Sequence, residues 1–134
     1  GDMLPVVSTV APLAQGAEGP AAHFYNINAD QVVGPLAMAL QCDAVLLLSD
    51  VVGVKDGSGE RIPQISLDRA KDLQRSGILK GGMVTKVLAA IECARCAPKA
   101  QVKIASATAK DPIAHALQRD QGTEVVVMDP EAVP

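Results

Sequence analysis

Two short runs in this sequence hold residue types that do chemistry at useful spacing. Tyr25-Asn26-Ile27-Asn28-Ala29-Asp30 sets two amides and a carboxylate at alternate positions, where an extended stretch runs into a helical pattern. Gly81-Gly82-Met83-Val84-Thr85-Lys86 ends a Gly-Gly turn with a helix start and puts a lysine one turn inside it. Unpaired backbone N–H groups and the helix dipole at such a start attract phosphate. Lys86 then supplies a full positive charge where a transferring phosphoryl group becomes most negative. Such transfer needs positioning and charge stabilisation more than covalent chemistry. Asp30 can fix a lysine, and Asn26 can donate to a carboxylate. Taken singly, each run has a plainer structural reading: an Asx-rich turn with Asp30 as N-cap, and a glycine loop before a solvated lysine. Together, in one alternating chain, they favour a site for a small polar acid on one side and phosphates on the other.

The remaining constellations are weaker. No GxxxxGK[ST] loop occurs, nor a GxGxxG fingerprint, and Gly57 and Gly59 read as a plain turn. His23 and His115 have no partner at metal-ligand spacing, so no metal site is expected. The serines lack the surroundings of a nucleophile elbow, and Asp56 and Glu60 flank a surface turn. Cys93-Ala94-Arg95-Cys96 has the spacing of a redox pair, but such pairs open a helix after a strand and this one falls near a helix end. Cys42, Cys93 and Cys96 therefore read as reduced structural thiols.

The elements that must position the two runs follow from periodicity. Leu4 to Val10 is a β-branched apolar run that reads as a buried strand, Ala11 to Pro20 as a hairpin or exposed loop, and His23 to Asn28 as extended again. The hairpin is expected within Ala11–Tyr25. Gln31 to Gln41 is helical in pattern, with Pro35 predicting a kink or a late start. Ala44 to Ser49 shows no alternation and reads as a strand buried on both faces, away from the sheet edge. Lys55 to Gly59 is a turn. Ser66 caps a helix to Arg75, with Gly77 just past its end. Met83 to Ala97 is the best helix, striped by Met83, Val87, Ile91 and Ala94 and stopped by Pro98. Val102 to Ala105 is a short strand, Pro112 to Arg119 a helix, and Glu124 to Met128 a final strand. This alternation predicts an α/β domain: a mainly parallel sheet with helices on both faces, plus a β-hairpin.

Composition sets the limits. The 134 residues suffice for one domain with a real core. Aromatic residues are 1% of the chain, Phe24 and Tyr25, so the core must be aliphatic and any bound ring must rest on aliphatic side chains and backbone. A net charge of −3, with no basic stripe, argues against nucleic acid. The longest purely apolar run, Ala44 to Leu48, is far too short to cross a bilayer, and the N-terminal residues lack a signal-peptide pattern. A cytoplasmic protein is the expectation, with self-association left open.

The motifs also carry a family resemblance. From Leu4 to Val125 the sequence resembles the C-terminal, nucleotide-binding half of the acetylglutamate kinases, in the amino acid kinase family. The resemblance rests on Leu4-Pro5-Val6-Val7-Ser8, Tyr25 to Asp30, Leu47-Leu48-Ser49-Asp50-Val51-Val52-Gly53-Val54, Gly77 to Val87 and Gly122-Thr123. It implies phosphorylation of the γ-carboxylate of N-acetyl-L-glutamate by ATP, with Mg2+ delivered on the nucleotide, in arginine synthesis. It further implies that Asn26 and Asn28 bind the acceptor, Asp30 organises catalytic lysines, and Lys86 stabilises the transition state. Asp50, Val51, Val52, Gly53, Val54 and Lys55, with Ile78, Leu79 and Lys80, would line the nucleotide site, and Gly82 and Met83 would approach the phosphates. The family's glycine-rich phosphate loop, its second lysine and its acceptor grip have no counterpart in these residues. A truncated, inactive chain is therefore expected, the alternative being a stand-alone nucleotide-binding or oligomerisation module.

Overall fold

The structure, a computed structural model, describes residues 4–12 and 24–127. In chain order the elements are β1 (Val10–Pro12), β2 (Phe24–Asn26), α1 (Ala29–Leu40), β3 (Ala44–Ser49), β4 (Gln64–Ile65), α2 (Leu67–Arg75), α3 (Gly82–Cys96), β5 (Gln101–Ser106), α4 (Pro112–Ala116) and β6 (Thr123–Val125). Two sheets result. β1 and β2 form an antiparallel ribbon, and the main sheet has the order β3-β5-β6-β4. In the main sheet β3 runs parallel to β5 and β4 parallel to β6, while β5 and β6 are antiparallel. The fold is thus α/β with a mostly parallel sheet, as the alternation predicts.

Helices cover both faces of that sheet. Side chains alternate along a strand, and Val102 and Ile104 of β5 join one core with Val87, Ala90, Ile91 and Ala94 of α3. Burying aliphatic side chains such as Val87 and Ile91 contributes about 1.5–3 kcal/mol each. Lys103 points to the opposite face, where its Nζ donates to the Gln118 carbonyl just beyond α4. On the outer side of α3 lies α1, packed where buried Gly34 faces the Cys93 backbone. An added Cβ at Gly34 would lie 3.5 Å from Cys93 Cα and 3.6 Å from Cys96 Sγ, so the helices approach to within the space of one methyl. Cys42, Cys93 and Cys96 are free thiols. Burial first, then the neighbouring Cys96 and Cys42, pushes the Cys93 thiol up, away from the reactive thiolate.

Several sequence expectations need correction. Residues 4–8 lie in no strand and are exposed; the ladder takes only Val10–Pro12, and the rest of the predicted hairpin lies outside the described residues, as do His23 and Met128. A β-branched run expresses preference for a strand, but a strand also needs a partner. α1 opens at Ala29, earlier than the pattern suggested, and continues through Pro35. Its N-cap is Asn28, not Asp30. β3 occupies an edge of the described sheet. Only Leu47 of its six residues is buried and the others are half-buried, so the expectation of a strand buried on both faces is not met either. α4 ends at Ala116 rather than Arg119, and the chain then turns back, so β6 runs antiparallel to β5. The two-residue β4 was not predicted, because Gln64-Ile65 is too short for any periodicity.

Lys103 is the largest fully buried side chain among the described residues, 1% exposed. Burial pushes its ammonium below the ordinary value of 10.5, an effect that Glu124 opposes, Arg61 reinforces and Asp120 opposes. Between that lowered value and 10.5 the unfolded chain binds more protons than the folded one, so this group makes stability rise with pH across that window. Urea midpoints of wild type and Lys103→Met, measured from about pH 8 to about pH 10, should therefore converge or cross in favour of wild type as pH rises. A constant difference between the two curves would show that Lys103 titrates alike in both states.

Candidate functional site

The two polar runs meet at the N-terminal ends of α1 and α3. Asn28 caps α1, its Oδ1 accepting the Asp30 N–H at 3.0 Å, and this fixes Asp30 in the first helical turn. One turn into α3, Lys86 Nζ lies 3.6 Å from Asp30 Oδ1, and the two side chains are 23% and 25% exposed. Both residues predicted to be catalytic are therefore neighbours, although 56 positions (86 − 30) separate them in sequence. Of the predicted acceptor residues, Asn26 ends β2 with an exposed side chain. Asn28 has its carbonyl oxygen committed to the cap.

The Gly-Gly turn gives α3 an open start. Gly81 adopts φ 61°, a conformation that L side chains rarely take, and no side chain caps the helix. Val84 N–H donates to the Gly81 carbonyl. The N–H groups of Gly82 and Met83 in the first turn have no intrahelical partner. Nothing lies within 4 Å of where a Cβ on Gly81 or Gly82 would sit. This combination suits an oxyanion approaching the helix end.

Beside it is a cavity of ≈ 160 Å³ lined by Val51, Gly53, Val54, Lys55, Ile78, Leu79, Lys80 and Met83. Every lining residue belongs to the predicted nucleotide set. Asp50, Val52 and Gly82 of that set fall outside the lining; Asp50 Oδ1 instead accepts the Ser49 hydroxyl at 3.1 Å, and Val52 is exposed. Two lysines and six apolar residues or glycines make a wall suited to an apolar ring with anionic groups at its rim. The volume is below the roughly 300–1,000 Å³ of a complete small-molecule pocket, so the cavity has room for only part of a ligand of nucleotide size. The chain reaches it through a turn at Asp56, whose Oδ1 accepts from Ser58 N, Ser58 Oγ and Glu60 N. The Ser58 hydroxyl is the largest cause holding this carboxyl below its usual range; desolvation opposes it, and the backbone N–H groups of Ser58, Glu60 and Gly59 add to the lowering. A groove of ≈ 320 Å³ between α1 and α3 begins at Asp30 and includes Thr85 and Glu92. A larger cavity, ≈ 410 Å³, lies at the far ends of these helices around Cys42 and Cys96 and contains none of the predicted site residues.

Sequence reasoning missed the supports of the smaller cavity. Arg61 donates from Nη1 to the Gly122 carbonyl and from Nη2 to the Asp120 carbonyl, the latter at 2.8 Å. Thr123, fully buried, bonds to Val54 and Ile62. The only sequence signal for either was the Gly122-Thr123 pair. Among the described residues no group of three or more His, Cys, Asp and Glu could hold a metal ion, and no helix is long and apolar enough to cross a membrane.

The sequence and the fold are similar to those of known proteins. Residues 2–106 match the pattern that defines the Amino acid kinase family. The chain is 47% identical to an acetylglutamate kinase of Koribacter versatilis over 81 residues, 60% of this chain and 30% of the relative. It is 43% identical to an acetylglutamate kinase of Allorhizobium ampelinum over 91 residues, 68% of this chain and 29% of the relative. The chain thus spans about three tenths of the length of these relatives. Its fold resembles that of a carbamate kinase from Giardia lamblia bound to AMP-PNP, with a TM-score of 0.61, 23% identity, and coverage of 83% of this chain and 37% of the other.

The Asp30–Lys86 pair is too exposed to contribute much to stability. A double-mutant cycle with Asp30→Asn and Lys86→Met in urea should give a coupling energy below about 1 kcal/mol. A coupling of several kcal/mol would make the pair a structural tie.

Proposed function

Because the chain belongs to the amino acid kinase family, we propose that it carries the nucleotide-binding part of a kinase that phosphorylates the γ-carboxylate of N-acetyl-L-glutamate with ATP, a step of arginine synthesis. The observation that carries this reading is a juxtaposition. One cavity is lined throughout by residues expected at a nucleotide, and it adjoins a helix start whose lysine is held by the carboxylate of the Asn-Ile-Asn-Ala-Asp run. The acceptor assignment is supported by the acetylglutamate kinases that the chain matches at 47% and 43% identity.

In this reading the adenosine rests on Val51, Gly53, Val54, Ile78 and Leu79, where aliphatic side chains and backbone replace the stacking that the aromatic-poor chain does not provide. The Gly82 and Met83 N–H groups receive phosphate oxygens. Lys86 neutralises charge on the phosphoryl group in flight, and Asp30 keeps the ammonium aimed, which lowers the entropic cost of holding a long side chain in one place. Asn26 donates to the acceptor. ATP supplies the phosphoryl group, and Mg2+ rides on its phosphates in the usual manner of kinases.

The 134-residue chain alone should bind ATP or ADP weakly in titration calorimetry. Lys86→Ala should weaken ATP binding by at least several-fold, since a charge-assisted contact is worth roughly 1.5–3 kcal/mol. In a coupled ADP-release assay with acetylglutamate and Mg-ATP this chain alone should show no turnover, because the second phosphate grip and the acceptor grip are not among its residues. Robust acceptor-dependent turnover would refute the division of labour. Equal affinities for wild type and Lys86→Ala would remove Lys86 from the phosphate site.

A further inference from the structure

The cavity wall contains an irregularity that the proposed kinase chemistry does not account for. Val54 and Ile62 face each other across the antiparallel turn closed by the Lys55–Arg61 bridge. Ile62 N–H donates to the Val54 carbonyl at 2.8 Å, as in an ordinary hydrogen-bonded antiparallel pair. The reciprocal bond is not made directly. Val54 N–H donates instead to Thr123 Oγ1 at 2.9 Å, and Thr123 Oγ1 donates to the Ile62 carbonyl at 2.7 Å. A side-chain hydroxyl from β6 is thus inserted into the ladder as a wedge, at the mouth of the turn where Gly53, Val54 and Lys55 line the cavity.

We propose that Thr123 is a positioning residue for the nucleotide: its hydroxyl sets the Gly53–Val54 wall by holding that pair of strands apart. The inference rests on the nucleotide reading given above. Three observations show that the wedge has a fixed seat. Thr123 is completely buried, so water cannot replace its hydroxyl. Gly122 has φ 70°, and a Cβ there would lie 2.7 Å from the Ile104 carbonyl, which presses the preceding backbone against β5. Arg61 ties the carbonyls of Asp120 and Gly122 to the same turn. On the other side, a Cβ on Gly53 would fall 2.7 Å from Thr123 Oγ1, so the path of the wall follows the hydroxyl itself. Without the hydroxyl, Val54 N–H and Ile62 C=O are left unsatisfied in the interior or close on each other, and either outcome moves the wall.

Thr123→Val removes the hydroxyl at constant shape, and Thr123→Ser keeps it. Both variants and wild type would be titrated with ATP by calorimetry, and their Val54 amide exchange and urea midpoints measured. Thr123→Val should bind ATP about five-fold or more weakly and exchange Val54 faster, whereas Thr123→Ser stays within about two-fold of wild type on both readouts. Unchanged ATP affinity in a folded Thr123→Val overturns the positioning role, as does equal weakening by Thr123→Ser. If Thr123→Val does not fold, Thr123→Ser and Gly53→Ala, which crowds the same hydroxyl, decide together: Gly53→Ala must weaken ATP binding and Thr123→Ser must not. Wild type that binds no ATP sinks the nucleotide reading and the positioning role with it, while Val54 exchange still reports whether the wedge exists.

Discussion

The site depends on how closely α1 and α3 pack. Gly34 lies in the middle of α1 and presents no side chain, and a Cβ there would already touch the Cys93 backbone at 3.5 Å. At ordinary interaxial distances of roughly 8–10 Å, helix pairs hold side chains between them; here backbone faces backbone near Cys93. The two helices start side by side as a result, with Asp30 in the first turn of α1 beside Lys86 one turn into α3. Two positive helix ends so placed favour a polyanion. The Asp30 carboxylate offsets part of that field in the absence of ligand, and it costs little because the pair remains partly solvated.

The sheet supplies the other wall by way of a reversal. In a parallel sheet, ligands bind outside the carboxyl ends of the strands, and residues 50–55 follow the carboxyl end of β3 in that way. β6 runs the opposite way to β5, with Thr123 opposite Ile104. Its amino end therefore lies at the same edge of the sheet as the carboxyl ends of β3 and β5. A parallel β6 would have carried Thr123 to the far edge, away from Gly53 and Val54. The short α4 is what permits the reversal, because the chain folds back over one face of the sheet, where Lys103 meets Gln118, instead of crossing to the next position.

What the sequence disclosed divides along physical lines. Signals carried by a few adjacent residues were legible: the Ser66 cap with its bond to Arg69 N–H, Gly77 past the end of α2, the α3 stripe of Val87, Ile91 and Ala94, and both halves of the Asp30–Lys86 pair. The expected nucleotide set came from family resemblance, and eight of its residues line one cavity in the fold while Asp50, Val52 and Gly82 do not. Non-local facts were not legible. The edge position of β3, the reversal of β6 and the fate of residues 4–8 all depend on which strand pairs with which, and apolar runs do not encode that choice. Pro35 misled in the other direction. A proline interior to a helix usually costs about 3 kcal/mol, but α1 runs through Pro35, which is exposed and follows the Gly34 contact with α3. The Gly122-Thr123 pair marked the position of Thr123 but not its role, since its two partners are 69 and 61 residues away.

Two lysines show why burial has to be weighed alongside charge when roles are assigned. Lys103 is the more unusual residue by every local measure: sealed, in the middle of a strand, its ammonium pushed down by burial. A group perturbed in this way is often a candidate for catalysis. Yet its ammonium donates to a backbone carbonyl, its stem runs through the packed face under α4, and none of the described cavities includes it in its lining. Its burial costs stability and gives back a tie between β5 and the segment after α4. Lys86 is ordinary in comparison, partly exposed and paired with a carboxylate, but it stands one turn from an open helix start beside a cavity. Phosphoryl transfer asks for a charge that can reach the ligand and stay charged while doing so. In the proposed reading, access more than perturbation favours Lys86 for that work.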